Sequence, residues 1–100
     1  MAARDILIEG RVQGVGFRAW TQSRARQHGL LGWVRNLTDG RVQVFVQGPE
    51  PAMQAFIEEL KTGPASASVS AVSFQPCVQG DVSGFTVRAS ASRPEAAPEP

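Results

Sequence analysis

Gly14 and Gly16 flank a single valine, and Arg18 follows two residues later in the run Gln13-Gly14-Val15-Gly16-Phe17-Arg18. Glycines between a strand and a helix start leave backbone N–H groups unpaired and turned outward at the positive end of the helix, so an anion is the expected guest. Arg18 at the first helical turn adds a planar guanidinium, which can hold two phosphoryl oxygens at once where a lysine ammonium cannot. Chemistry at a phosphate is therefore one reading of the run. The other is a glycine turn that only reverses the chain, with Arg18 solvated on the helix; local pattern leaves both open.

Other constellations fail on inventory. A Walker loop needs Gly-Lys-Ser/Thr after four spacer residues, and the chain contains no such triplet. Gly14-Val15-Gly16-Phe17-Arg18-Ala19 does satisfy G-x-G-x-x-A, with Asp39 about twenty residues beyond, as in the dinucleotide fingerprint. Context opposes that match, because Asp39-Gly40 reads as a hairpin turn and the chain has too few strands for a parallel nucleotide-binding sheet. Cys77 has no arginine six residues on and follows Pro76, so it reads as a buried or inert thiol. His28 falls in the last turn of the predicted helix, where it suits the carbonyl end. With one cysteine and one histidine there is neither an internal disulfide nor a Cys/His zinc set, and no metal is expected. No serine stands in a G-x-S-x-G frame. Trp20 and Trp33 read as packing, and Arg11, Arg24, Arg26, Arg35 and Arg41 as solvated charge.

Positioning these residues falls to a single small domain, since the chain has 100 residues, of which 42% are apolar and 19% charged. No apolar run approaches the ~18–20 residues of a membrane helix, and Met1-Ala2-Ala3-Arg4-Asp5 lacks the apolar stretch of a signal peptide. A cytoplasmic location is the expectation. The net charge of +1 divides unevenly: residues 1–48 hold seven arginines against Asp5, Glu9 and Asp39, or +4, and residues 49–100 carry −3. The basic half is the one to search for an anionic ligand.

Asp5 to Val12 reads as a first strand ended by glycines, and from Phe17 the pattern turns helical, with Phe17, Thr21 and Ala25 on one stripe beside Trp20 and Gly29 as the stop. Leu30 to Leu37 is a second strand, Thr38-Asp39-Gly40 a hairpin turn, and Val42, Val44 and Val46 share one face of a third strand. After Gly48-Pro49-Glu50-Pro51, Met53, Phe56, Ile57 and Leu60 recur at i, i+3, i+4 and i+7, an amphipathic helix closed by Gly63-Pro64. Val69 to Gln75 and Phe85 to Arg88 are the last strands; residues 89–100 offer no large apolar group and are expected to form a disordered tail. This β-α-β-β-α-β order predicts an α+β domain of two interleaved split βαβ units, an antiparallel sheet with two helices on one face. The first two strands then run parallel with the third between them, which brings the 13–18 loop near Asn36 at one sheet edge.

Gly10-Arg11-Val12-Gln13-Gly14-Val15-Gly16-Phe17-Arg18 resembles the signature of the acylphosphatases, and Gly32-Trp33-Val34-Arg35-Asn36 with Asp39-Gly40 resembles their second motif. Gln47-Gly48-Pro49 and Lys61-Thr62-Gly63-Pro64, with Val69, also look like the family. The likeness runs in order over residues 5–88, and two separated motifs agree at the right distance. Gln43 departs from it, standing where many relatives have an acid, and the tail has no family counterpart.

The resemblance implies a ferredoxin-like domain over residues 1–88. It also implies an enzyme that hydrolyses the carboxyl–phosphate bond of acyl phosphates, giving a carboxylate and inorganic phosphate without metal or cofactor. By that likeness Gln13, Gly14, Val15, Gly16, Phe17 and Arg18 bind phosphate, and Asn36 orients the attacking water. The absence of a catalytic histidine fits, because a carboxylate is a weak base that departs without a general acid. A small-molecule acyl phosphate is then the partner, inorganic phosphate is product and inhibitor, and neither nucleic acid nor membrane is expected. A monomer is the default. The competing readings are non-enzymatic: a ferredoxin-like RNA-binding module, against which the Arg41 to Gly48 strand lacks the aromatic pattern, or a regulatory domain like those that begin hydrogenase-maturation proteins.

Overall fold

Ile6 and Ile8 alternate with Asp5, Leu7 and Glu9 in β1 (Ala2–Arg11), so one side of the strand is apolar and buried. The same alternation recurs in β2 (Leu31–Asn36) and β3 (Val42–Gly48). Register stacks these residues in rows: Val44 lies opposite Ile6 on one side and Val34 on the other, and Val42 lies between Ile8 and Asn36. Helices α1 (Phe17–Gln27) and α2 (Glu50–Thr62) cover this face, through Phe17 and Ala25 of α1 and Met53, Phe56, Ile57 and Leu60 of α2. These are the stripes the 3.6-residue period predicts. The computed structural model describes residues 1–92; residues 93–100 of the expected tail lie outside them.

With β4 (Ser68–Pro76) and β5 (Phe85–Val87) the sheet has five strands in the order β4-β1-β3-β2-β5. The pairs β4–β1, β1–β3 and β3–β2 are antiparallel, but β2 and β5 pair in parallel, so the sheet is mixed and not wholly antiparallel as expected. The cause is the route of the chain. Pro76 ends β4 opposite Arg4 near the start of β1, and residues 77–84 then cross the face that carries no helix to reach Phe85 beside Gly32. Entering at the end where β2 begins, β5 must run in the direction of β2.

The crossing segment is fastened by Cys77 N–H to the Ala3 carbonyl (3.2 Å), Gly80 N–H to Gln47 Oε1 (2.8 Å) and Gly32 N–H to the Gly84 carbonyl (2.8 Å). Cys77 and Val82 pack there against Ala3, Trp33 and Phe45, a second, smaller apolar cluster. The strip of hydrogen bonding beside β2 also continues past β5. Ala91 N–H donates to the Asn36 carbonyl (3.0 Å) and Thr38 N–H to the Ala91 carbonyl (2.9 Å), so residues 89–92, expected to begin a disordered tail, lie along the β2 edge. Backbone pairing holds them, and it needs no apolar side chains.

Most arginines expected to be plain solvated charge have partners. Arg24 makes a two-pronged contact with Glu59 (2.7 and 3.0 Å), and His28 Nε2 stands 2.9 Å from the same carboxylate, joining the end of α1 to α2. Arg35 donates to Gln43 Oε1 (2.9 Å), and Gln43 in turn donates to Asp5 (3.0 Å). Arg35 and Arg88 both stack on Trp33, 4.8 and 4.6 Å from its ring centre. Arg26 donates to the Phe85 carbonyl and Arg41 to Asp39, while Arg11 is exposed.

Candidate active site

The link between β1 and α1 turns on two glycines. Gly14 has φ 73° and Gly16 φ 77°, a left-handed region that disfavours side chains, while the intervening Val15 stays at negative φ. Alternation of sign along three residues turns successive N–H groups toward one side, the concave arrangement that receives anions. Gly16 is the N-cap of α1 and supplies no side-chain cap, and no acidic residue occupies the first turn. The first N–H groups of α1 therefore retain both their hydrogen-bonding capacity and the positive end of the helix dipole.

A cavity of about 240 Å³ lies over this loop, lined by Val12, Gly14, Gly16, Phe17, Arg18, Ala19, Asn36 and Val87. The structure thus brings Gly14, Gly16, Phe17 and Arg18 to one site with Asn36, as the topology predicted. Arg18 is half-buried, and its only nearby acceptor among the described contacts is the Arg88 carbonyl at 3.4 Å, a long hydrogen bond that leaves most of its donors to a ligand. Asn36 closes β2 on the helix-covered face. Its backbone carbonyl is taken by Ala91, whereas its side-chain Oδ1 is buried with no partner among the described residues. A buried acceptor left unpaired costs about 1–3 kcal/mol, so this oxygen has a use for a donor in the cavity.

Gln13 and Val15 do not line the cavity. Gln13, expected among the phosphate-binding residues, instead donates from Nε2 to the carbonyls of Leu37 (2.7 Å) and Arg41 (2.8 Å). Val15 packs against the main core, and its carbonyl accepts from Ser66 Oγ (2.9 Å). Val12, Ala19 and Val87 are wall residues that sequence reasoning missed. Val87 was findable only by placing β5 beside β2, and its three-residue strand carries no pattern that names a partner.

The groups set aside from the sequence stand elsewhere. His28 caps the far end of α1, roughly 15 Å from its start at 1.5 Å per residue. Cys77 is half-buried on the opposite face of the sheet, where burial pushes its thiol pKa up and so disfavours the thiolate. Asp39 accepts from Arg41 N–H (3.0 Å) and Arg41 Nε (2.9 Å), bonds that hold its carboxyl below the usual range and occupy it in the hairpin turn. Asp5 has its pKa raised by burial, opposed by the Gln43 hydrogen bond and the Arg35 charge. Trp20 packs beside Phe17 and Trp33 beside Phe45. No group of three or more His, Cys, Asp or Glu side chains is placed to share an ion among the described residues. Nor is any helix among them long and apolar enough to cross a membrane.

Known proteins share the sequence and the fold. The family model Acylphosphatase matches residues 4–87. An acylphosphatase of Thermus thermophilus is 47% identical over 81 residues, covering 81% of this chain and 92% of the relative. The crystal structure of acylphosphatase from Bacillus subtilis superposes with a TM-score of 0.85 at 38% identity, covering 88% of this chain and 99% of that one. A structure of full-length HypF in the phosphate- and nucleotide-bound form also matches, with a TM-score of 0.85 at 32% identity, over 91% of this chain and 12% of that one. With a family match over most of its length, a relative at nearly half identity and a solved acylphosphatase that superposes over almost all of its own length, the chain belongs to the acylphosphatase family.

Proposed function

We propose that the cavity between the Gly14–Arg18 loop and Asn36 is where this acylphosphatase hydrolyses acyl phosphates, with Arg18 and the loop amides binding the phosphoryl group and Asn36 holding the attacking water. The observation that carries the reading is the pairing of complementary needs in one cavity. Free N–H groups and a guanidinium call for an anion, and the buried Asn36 Oδ1 calls for a donor such as water. The Asn36 carboxamide offers both a donor and an acceptor, which suits it to orient a water whose lone pair must face phosphorus.

In the reaction the water oxygen forms a bond to phosphorus as the bond from phosphorus to the acyl oxygen breaks. The leaving electron pair goes to the carboxylate. Charge on the three equatorial oxygens is met by donors already in place, so little reorganisation accompanies the step. Among the described residues the wall carries one ionisable side chain, that of Arg18, and a guanidinium has no lone pair to take a proton, so the water proton passes to a phosphoryl oxygen and leaves with the phosphate. None of these roles draws on a metal. Inorganic phosphate, which satisfies the same donors, is a competitive inhibitor, and the enzyme works as a cytoplasmic monomer.

The test is hydrolysis of benzoyl phosphate beside p-nitrophenyl phosphate in water enriched in oxygen-18. Turnover of benzoyl phosphate, with label in phosphate and little hydrolysis of the ester, supports attack at phosphorus with a carboxylate leaving group. Label in benzoate would place attack at the carbonyl carbon instead. A domain that binds phosphate and hydrolyses neither compound would be the non-enzymatic module.

A further inference from the structure

β1 and β2 carry the two halves of the site, yet they do not touch, because β3 lies between them throughout the sheet. β3 begins only at Val42, opposite Asn36. Beyond that point β3 no longer spaces the 13–18 loop from the end of β2, and the 37–41 turn projects past the ladder, held on its far side by Ala91 and bridged to the loop side by Gln13. Its neck is closed by Leu37 N–H to the Arg41 carbonyl (2.8 Å) and Gly40 N–H to the Leu37 carbonyl (3.1 Å). Gln13 Nε2 donates to those same two carbonyls, at 2.7 and 2.8 Å. One side chain thereby uses both amide protons to tie the residue before Gly14 to the residue after Asn36.

Resting on the reading of the site given above, we infer that Gln13 is a positioning residue, which sets the distance between the phosphate-binding loop and the Asn36 carboxamide without touching substrate. The loop's own shape does not depend on it. Gly14 and Gly16 fix their turns by conformation, the half-buried Val15 packs against the core, and Ser66 holds the Val15 carbonyl from the other side. What Gln13 governs is the relation of that loop to the water. Near-attack geometry is sensitive to displacements of about 1 Å, which can cost on the order of 100-fold in rate. Loss of the tether should therefore lower kcat while leaving the affinity of the loop for an anion in place.

Gln13→Met keeps the length and removes both donors; Gln13→Asn keeps the amide but is too short to reach. Each is to be compared with the wild type for kcat on benzoyl phosphate, inhibition constant for inorganic phosphate, and thermal unfolding. Both are then to be repeated with Asn36→Ala. The expected result is a fall in kcat of about 10- to 100-fold with phosphate inhibition changed less than about twofold. In the Asn36→Ala background the Gln13 substitutions should cost less than about a further twofold, since the group they misplace is already gone. Unchanged kcat, phosphate inhibition weakened as much as kcat, or a full additive loss on top of Asn36→Ala would each overturn the inference. Wild-type kcat in Asn36→Ala alone would instead remove the water-positioning role on which it rests.

Discussion

Arg18 and Asn36 face one cavity although they come from elements that share no hydrogen bond, a helix start after β1 and the last residue of β2. The parallel relation of β1 and β2, imposed by the helical crossover between them, brings their carboxyl ends to the same edge of the sheet. The arginine arrives with most of its donors free, and the asparagine with a buried oxygen unpaired among the described residues.

Arg18→Lys should be nearly as damaging as Arg18→Ala, because a point charge does not reproduce the forked contact that fixes phosphoryl orientation. A loss of about 100- to 1,000-fold in kcat/KM is expected for both, in line with removal of a donor aimed at transition-state charge. Phosphate inhibition should weaken in parallel. Steady-state kinetics of the two variants on benzoyl phosphate, with phosphate as inhibitor, measures both, and a lysine variant at wild-type kcat/KM would take Arg18 out of the site.

Glu59 supplies a stability prediction that is separate from catalysis. The hydrogen bonds it accepts from Arg24 lower its pKa from 4.5 to about 2, against the opposing effect of burial and with a lesser contribution from His28. A carboxyl whose folded pKa is depressed contributes fully above its unfolded value and loses that contribution as pH falls through the folded one, here between pH 4.5 and about 2. Because the Arg24 and Glu59 side chains are 32% and 30% exposed, screening keeps the effect small. Glu59→Gln should lower the melting temperature at pH 7 by about 2–4 °C and converge with the wild type near pH 2. Its kcat should be unchanged, since the pair ties the far end of α1. A calorimetric series in pH with parallel assays would show either this convergence or, against it, a gap that persists in acid.

The cavity wall also sets the pH behaviour. The polar side chains of the wall are a guanidinium and a carboxamide, kinds of group with no ionisation in the working range, so kcat for an acyl phosphate should be nearly flat from pH 6 to 8, apart from the substrate's own second ionisation. EDTA should leave it unchanged. A bell-shaped profile abolished by His28→Gln would bring the histidine into the chemistry, and activity lost to chelator and restored by a divalent ion would contradict the metal-free mechanism.

Much of the site could be read from the chain because its signals are local. Gly14, Gly16 and Arg18 fall within five residues, and the Phe17-Thr21-Ala25 and Met53-Phe56-Ile57-Leu60 stripes name the buried faces of both helices. Asn36 could be placed near the loop once the crossover fixed strand direction. What escaped is carried by the backbone or by distant partners. Ala91 holds the end of β2 through main-chain groups, and its composition reads as disorder. The direction of β5 depends on residues 77–84 crossing the open face, and the Arg24–Glu59 and Gln13–Leu37 contacts join positions that no period connects.

Asn36→Ala, assayed on benzoyl phosphate alongside the wild type, bears most directly on the division of labour in the cavity. A group that orients water acts mainly in the transition state, so kcat should fall by at least about 100-fold while KM and phosphate inhibition stay within about twofold, with the circular dichroism spectrum of a folded domain. A raised KM with kcat unchanged would make Asn36 a substrate-binding residue and contradict the account.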